Sequence, residues 1–252
     1  MITIDLSGNT ALVTGATGQL GQAMARTLAS AGANVIIHYR RNKSQADTLV
    51  REIKHMGREA LAVQGDVTDE DSVKKMRYRI TSELRMPDIV VCNAIIKYDW
   101  KNVLKQSLND YESQFLSCTL HVVLMAQAFV PTMIKNKWGR IIGINTECAM
   151  QCNPTQSAYV SGKRGMDGVL RVLAREVGEH GITVNQVAPG WTISKNNPDS
   201  AATKSYCKQV PLKRCGTDRE IANAVVFLAS DLADFITGAY LPVCGGNVMP
   251  AI

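Results

Sequence analysis

The chain has 252 residues, 46% of them hydrophobic and 20% charged, the balance of a globular protein, which excludes a disordered or low-complexity chain. Its net charge of +6 comes from 28 Lys and Arg against 22 Asp and Glu, scattered with no run of five like charges. No basic stripe is interleaved with aromatics, which argues against nucleic acid as the partner; the mild excess suits a phosphorylated small molecule.

Thr10-Ala-Leu-Val13 is a short apolar run that breaks into Thr14-Gly15-Ala16-Thr17-Gly18-Gln19-Leu20-Gly21. Behind it Leu20, Ala23, Met24, Thr27, Leu28 and Ala31 recur at helical spacing until Gly32. A glycine-rich turn between a buried strand and a helix N-terminus offers free N–H groups and a favourable dipole to a phosphate. A structural turn is the plain reading; the strand–turn–helix context points to dinucleotide binding. The next strand, Asn34 to Ile37, ends at His38-Tyr39-Arg40-Arg41. An NAD site places an acid here, whereas arginine suits the 2′-phosphate of NADP. Two arginines and no acid make NADP the expected cofactor over NAD, against the alternative of a solvated arginine pair.

Lys43 to Met56 is amphipathic, and Leu61 and Val63 begin a third strand leading to Gly65-Asp66-Val67. Thr68-Asp69-Glu70-Asp71 reads as a capping box for a helix with Val73, Met76, Ile80 and Leu84 inward. Ile89 to Cys92 is a strand ending at Asn93-Ala94, and Leu108 to Lys135 is one long helix bent by Pro131. Arg140 to Ile144 is a strand, followed by a helix from Ala158 to Glu179. That helix carries Tyr159 and Lys163, four residues apart and so one above the other. An ammonium at ~4 Å, in an effective dielectric near 20, lowers a phenol pKa by roughly three units, enough to make a proton donor and acceptor near neutrality. Alone the pair is equally readable as a surface contact. Ile182 to Val187 is a strand before Ala188-Pro189-Gly190, and Trp191 to Gly216 is polar and poorly periodic, as a mobile lid would be. Thr217 to Glu220 caps the last main helix, and Ala239 to Val243 is the closing strand. Strict alternation predicts one α/β domain over residues 1–252, a doubly wound Rossmann-type fold whose ligand lies at the carboxyl ends of a parallel seven-stranded sheet.

The seven cysteines, at 92, 118, 148, 152, 207, 215 and 244, form no C-x-x-C pair and have no neighbouring histidine to complete a metal site. They read as free thiols, and no metal is expected. The N-terminus is no signal peptide and no apolar run reaches about 18 residues, so a cytoplasmic protein without a membrane partner is expected.

The glycine turn, Asp66-Val67, Asn93-Ala94, Tyr159 with Lys163, and Pro189-Gly190, in this order, resemble the short-chain dehydrogenase/reductase family along essentially the whole chain. Leu173 to Val177, Gly181 to Asn185 and Ile236-Thr-Gly238 look most like 3-oxoacyl-thioester reductases. The resemblance implies an NADPH-dependent reductase of a ketone or 3-oxoacyl-type carbonyl. Tyr159 would be its acid, Lys163 would bind the nicotinamide ribose and lower the tyrosine pKa, and Thr146 would steady the carbonyl. It further implies that Asp66 holds the adenine amino group, Val67 packs on the ring, and Asn93 and Ala94 border the adenosine ribose. Pro189, Gly190, Thr192 and Ser194 would lie at the nicotinamide. Gly15, Thr17, Gly18, Gln19, Leu20 and Gly21 would form the phosphate turn, with Tyr39, Arg40 and Arg41 beyond it. The glycine spacing here is commoner in the longer branch of the family. Thr146 replaces the usual serine, and Cys118 stands where an asparagine holds a water linking the lysine to solvent; it reads either as part of that relay or as a small core residue. Ile95 follows Asn93-Ala94 in place of glycine, and Cys92 precedes it in place of asparagine. These departures leave a second reading, a dinucleotide-binding regulatory or scaffold protein with impaired catalysis. Val122, Val123, Met125, Phe129, Val169 and Leu173 make two helices apolar on more than one side, which in this family implies a homodimer or homotetramer.

Overall fold

Seven parallel strands alternate with helices in the computed structural model, which describes residues 3–193 and 200–249. The strands are β1 (Thr10–Val13), β2 (Asn34–Tyr39), β3 (Ala60–Gln64), β4 (Ile89–Cys92), β5 (Gly139–Ile144), β6 (Ile182–Pro189) and β7 (Tyr240–Val243). They pair in the order β3-β2-β1-β4-β5-β6-β7, so the chain reverses its direction of travel between β1 and β4. A crevice opens at that switch point, beyond the carboxyl ends of the strands.

Alternation along each strand fills two cores. Ala11, Val13, Val35 and Ile37 face α1 (Gln19–Ser30), α2 (Lys43–His55) and, through Ile221 and Val225, α9 (Asp218–Ala229). Leu12 and Ile36 face the opposite layer. There they meet Val73 and Met76 of α3 (Glu70–Glu83), Phe129 of α5 (His121–Asn136) and Leu170 of α7 (Ser157–Val177). Each such fully buried side chain contributes roughly 1.5–3 kcal/mol.

Four local expectations are revised. The long helix from Leu108 is broken: α4 (Leu108–Gln114) leads into a π-helical turn over Phe115–Leu120 before α5 resumes. The helix-start signal at Thr68 is displaced by one residue, because Asp69 is the cap and accepts from Ser72 N, while the Thr68 hydroxyl donates to Asp66. Within the expected lid, Ser200 caps a helix, α8 (Ala201–Gln209), whose Thr203 and Tyr206 point inward ahead of buried Val210. A parallel bridge between Thr192 and Gly216 pins the base of this segment. A short helix, α6 (Cys148–Gln151), also precedes α7.

Within the 29-residue run Leu108–Asn136 an 18-residue window has a mean hydropathy of 1.5, long and apolar enough by composition to cross a membrane. Its Val122, Met125 and Phe129 are instead buried in this chain's own core. Leu108 and Phe115 on this run, and Val172 on α7, are exposed.

Candidate active site

The glycine turn is built by close approach. Gly15 has φ +62, and a Cβ on Gly21 would stand 2.3 Å from the Gly15 carbonyl oxygen, so only glycine fits there. Asn93, arriving from β4, donates through Nδ2 to the Thr14 oxygen at 2.9 Å, and its own N–H donates to Thr14 Oγ1 at 2.8 Å. Gly18 caps α1 with no side chain over the first-turn N–H groups, which leaves them for an anion. Gln19 ties the turn to the far side of the cleft, donating to the Ile193 oxygen at 3.0 Å and to Asp218 at 2.8 Å.

His38 is the residue that sequence reasoning missed here. Its Nδ1 accepts from Gly15 N at 2.9 Å and its Nε2–H faces the Gly65 oxygen at 3.1 Å, so the neutral ring braces the turn. Burial pushes its pKa down to about 4. Tyr39, expected among the cofactor contacts, turns the other way, 4% exposed against the α2 side of the sheet. A strand alternates its faces, so His38 and Arg40 share the cleft and Tyr39 does not.

Arg40 and Arg41 both reach the cleft, a cavity of about 760 Å³ that also takes in Thr17, Leu20, Asp66, Val67 and Ala94. Arg40 pairs with Asp66 at 2.8 Å. Burial pushes the Asp66 carboxyl up, but hydrogen bonds from Thr68 and the Arg40 charge outweigh it and hold the group below its ordinary value.

A second cavity of about 540 Å³ adjoins the first, with Ile95, Ile96 and Lys97 lining both. Tyr159, Thr146, Pro189 and Gly190 line it together. Asn145 binds the Lys163 oxygen at 3.1 Å and Gln186 at 2.7 Å, fastening α7 to the sheet beside Thr146. Gly162 permits the approach of α7 to the end of α4, since a Cβ there would lie 2.7 Å from the Gln114 oxygen. Trp100 stacks on Tyr159 with ring centroids 6.0 Å apart.

The expected lowering of the tyrosine pKa is not met. Burial pushes the Tyr159 phenol above its ordinary range, and the Thr146 hydroxyl only partly offsets it. Lys163, 4% exposed, donates to the Ile144 oxygen at 2.5 Å and stands 5.9 Å from the centre of the tyrosine ring. Helical spacing put the two side chains on one face, but the ammonium satisfies itself on the strand rather than on the phenol.

Cys118 is 1% exposed, within the core of the α5–α7 side, and its thiol faces Gln114 Oε1 at 3.9 Å. Gln114, one turn earlier, is fully buried, lines the second cavity and donates to the Ile96 oxygen at 2.8 Å. Nothing in its local sequence marks it. The same holds for Glu147, a buried carboxylate accepting from Tyr206 of α8 and from Asn247, each at 3.0 Å. Burial pushes its pKa up while these two bonds pull it back. Tyr206 also accepts from Trp191 N at 3.0 Å, so Glu147 holds α8 over the cavity. Thr192 lies in the bridge beside this wall; Ser194 falls outside the described residues. No group of three metal-ligating side chains occurs among the described residues.

A parallel sheet with a glycine turn at its switch point and a Tyr–Lys helix across the crevice defines a nucleotide-dependent oxidoreductase class. A family profile described as enoyl-(acyl carrier protein) reductase matches residues 15–247. The 3-oxoacyl-[acyl-carrier-protein] reductase of Staphylococcus epidermidis is 38% identical over 242 residues, covering 95% of this chain and 98% of that protein. The one from Pseudomonas aeruginosa is 38% identical over 250 residues, covering 98% of this chain and 100% of that protein. Among solved structures, a gluconate 5-dehydrogenase from Burkholderia cenocepacia in complex with NADP and tartrate superposes with a TM-score of 0.90 at 30% identity, covering 97% of this chain and 96% of that one. A blue fluorescent protein from a metagenomic library, in complex with NADPH, also reaches 0.90, at 32% identity over 97% of this chain and 100% of that one. The chain belongs to the short-chain dehydrogenase/reductase family of oxidoreductases.

Proposed function

We propose that the protein is an NADP-dependent ketoreductase that converts a ketone or 3-oxoacyl-type carbonyl to a secondary alcohol, with Tyr159 as general acid. The observation carrying this reading is the Tyr159 phenol in the second cavity, which adjoins the first, with Thr146 lining the same cavity. A phenol is neutral at pH 7, so Tyr159 has a proton to give, as reduction requires, while burial makes it a weaker acid than a free phenol. Thr146 steadies the carbonyl oxygen, and Asn145 keeps Thr146 and α7 in register.

The first cavity fits NADP. The glycine-only contact of Gly21 with Gly15 leaves room at the α1 N-terminus for a pyrophosphate, Arg40 and Arg41 suit a 2′-phosphate, and Asp66 and Val67 suit the adenine. When bound, NADPH supplies the hydride. Lys163 would hold its ribose hydroxyls, and Trp100 and Tyr206 line the cavity in which the carbonyl would sit. The NADP and NADPH complexes of similar structures and the reductase relatives support the same cofactor and direction.

The test is NADPH oxidation with S-acetoacetyl-N-acetylcysteamine and simple ketones in the Tyr159→Phe variant. Turnover should fall by about 10²–10⁴ while NADPH binding, read by fluorescence, persists. Equal turnover in the variant would remove Tyr159 from the mechanism. Binding without turnover in the unaltered protein would return the chain to a binding-only role.

A further inference from the structure

Two of the seven cysteines meet beside the last turn of α8. That helix ends at Gln209, and buried Val210 starts a turn that doubles the chain back on it. Val210 N donates to the Tyr206 oxygen at 3.2 Å, and Lys213 N to the Val210 oxygen at 2.8 Å. Lys213 holds a left-handed φ of 56, and its ammonium donates to the Lys208 oxygen at 2.9 Å, closing the C-terminus of the helix. Leu212 N donates to the Gly245 oxygen at 3.2 Å, which fixes the turn from the other side. Cys215 follows, 2% exposed, and its Sγ stands 3.0 Å from Sγ of Cys207, eight residues earlier on α8. Two unbonded sulfurs in ordinary packing stand farther apart. A disulfide bond is about 2.05 Å long, so bonding asks the two atoms to close by about 1 Å.

The two thiols differ in access. Cys207 is partly open to solvent, whereas Cys215 is enclosed. Burial, followed by the neighbouring sulfur, pushes the Cys215 thiol up to about 12. An outside reagent therefore meets Cys207 first. α8 carries Lys204 and Lys208 and no acid, and Lys213 and Arg214 follow, so this face draws an anionic reagent. Cys215 is on the anchored side: Gly216 bridges to Thr192, and Arg214 pairs with Glu220 of α9. Cys207 is on the side that bears on the second cavity, because Tyr206 beside it lines that cavity and meets both Glu147 and Trp191 N. A bond between the two sulfurs would therefore fasten the α8 wall of the cavity to the segment that leads into α9.

We propose that Cys207 and Cys215 are a dithiol site for an anionic low-molecular-weight disulfide such as glutathione disulfide, and that the bond they form fastens α8 over the cavity. The Cys207 thiolate attacks one sulfur of the reagent and expels one glutathione thiolate, leaving a mixed disulfide. Cys215 releases its proton to solvent, attacks Cys207 Sγ and expels the second glutathione thiolate. The two cysteines lose two electrons, and the reagent is reduced to two thiols. The site stands apart from the ketoreductase reading, and its test needs no turnover. The full chain is incubated with glutathione disulfide, its remaining thiols are alkylated, and it is digested with trypsin without reduction. Cleavage after Lys204, Lys208, Arg214 and Arg219 puts the two cysteines on separate peptides, 205–208 and 215–219. These should emerge joined, in at least about tenfold excess over any other cysteine pair, and dithiothreitol should part them. Glutathione left on Cys207 with Cys215 alkylated would overturn the proposal. So would a bond from Cys215 to Cys244, which lines a cavity of about 260 Å³ with it. In Cys215→Ser the mixed disulfide on Cys207 should persist; its absence would remove Cys207 as the point of attack. Amide hydrogen exchange over 201–209 should slow by about tenfold or more in the oxidised protein and recover with dithiothreitol. Equal exchange in the two forms would refute the fastening of α8.

Discussion

Acidification should destabilise this protein, because two of its four histidines are buried and held neutral. His38 is held at about 4 and His121 at about 3, against an ordinary value of 6.5. Desolvation is the leading cause in both, and His121 Nε2 has no partner among the described residues. The folded values lie below the unfolded ones, so the unfolded chain binds more protons as pH falls. The stability from each neutral ring is complete above about pH 6.5 and is lost progressively as pH drops toward the folded values. At pH 5 linkage gives a loss of about 2 kcal/mol per ring, or ~4 kcal/mol together, a large share of a domain's stability. The carboxylates contribute little above pH 5; Glu147, with its raised pKa, acts weakly in the opposite sense. The assay is chemical denaturation at pH 8, 6.5 and 5, on the unaltered protein and on His121→Met. The variant should lose only about 2 kcal/mol over that range, the share of His38. The other two histidines, His55 and His180, lie nearer the surface. Stability unchanged from pH 8 to 5 would refute the argument, and so would an identical slope in His121→Met.

Arg40→Asp should reverse cofactor preference: the unaltered protein should bind NADPH at least about tenfold tighter than NADH, ~1.4 kcal/mol, and equal affinities would contradict the role given to Arg40. Because Cys118 is 1% exposed in a packed slot, the larger side chain of Cys118→Asn should cost about 1–3 kcal/mol and lower the melting temperature with no gain in turnover. A faster enzyme would instead restore Cys118 to a proton relay. The apolar residues left on α4, the π turn and α7 should bring two copies together, so light scattering at micromolar concentration should report a dimer or tetramer; a monomer would contradict this.

Periods of two and 3.6 residues mark strands and helices locally, which is why Val13, Ile37 and Val91 could be read as sheet and the order of elements as a doubly wound fold. The glycine turn was legible for the same reason: Gly15 and Gly21 answer a constraint spanning six residues. Tyr159 and Lys163 were legible as neighbours on one helical face. Their chemistry was not. Whether a phenol titrates up or down depends on its burial and on where the ammonium finds its acceptor, and the Ile144 oxygen belongs to a strand nineteen residues away. His38 and Tyr39 differ by one position and face opposite sides of β2, a distinction settled by which face the crevice opens on. Gln114 and Glu147 gave no local signal. Glu147 meets Tyr206 and Asn247 across 59 and 100 residues. Local sequence determines backbone periodicity and turn chemistry. Burial, pairing and the shape of the cavity arise only when distant segments are brought together, and those quantities set the specificity of the site.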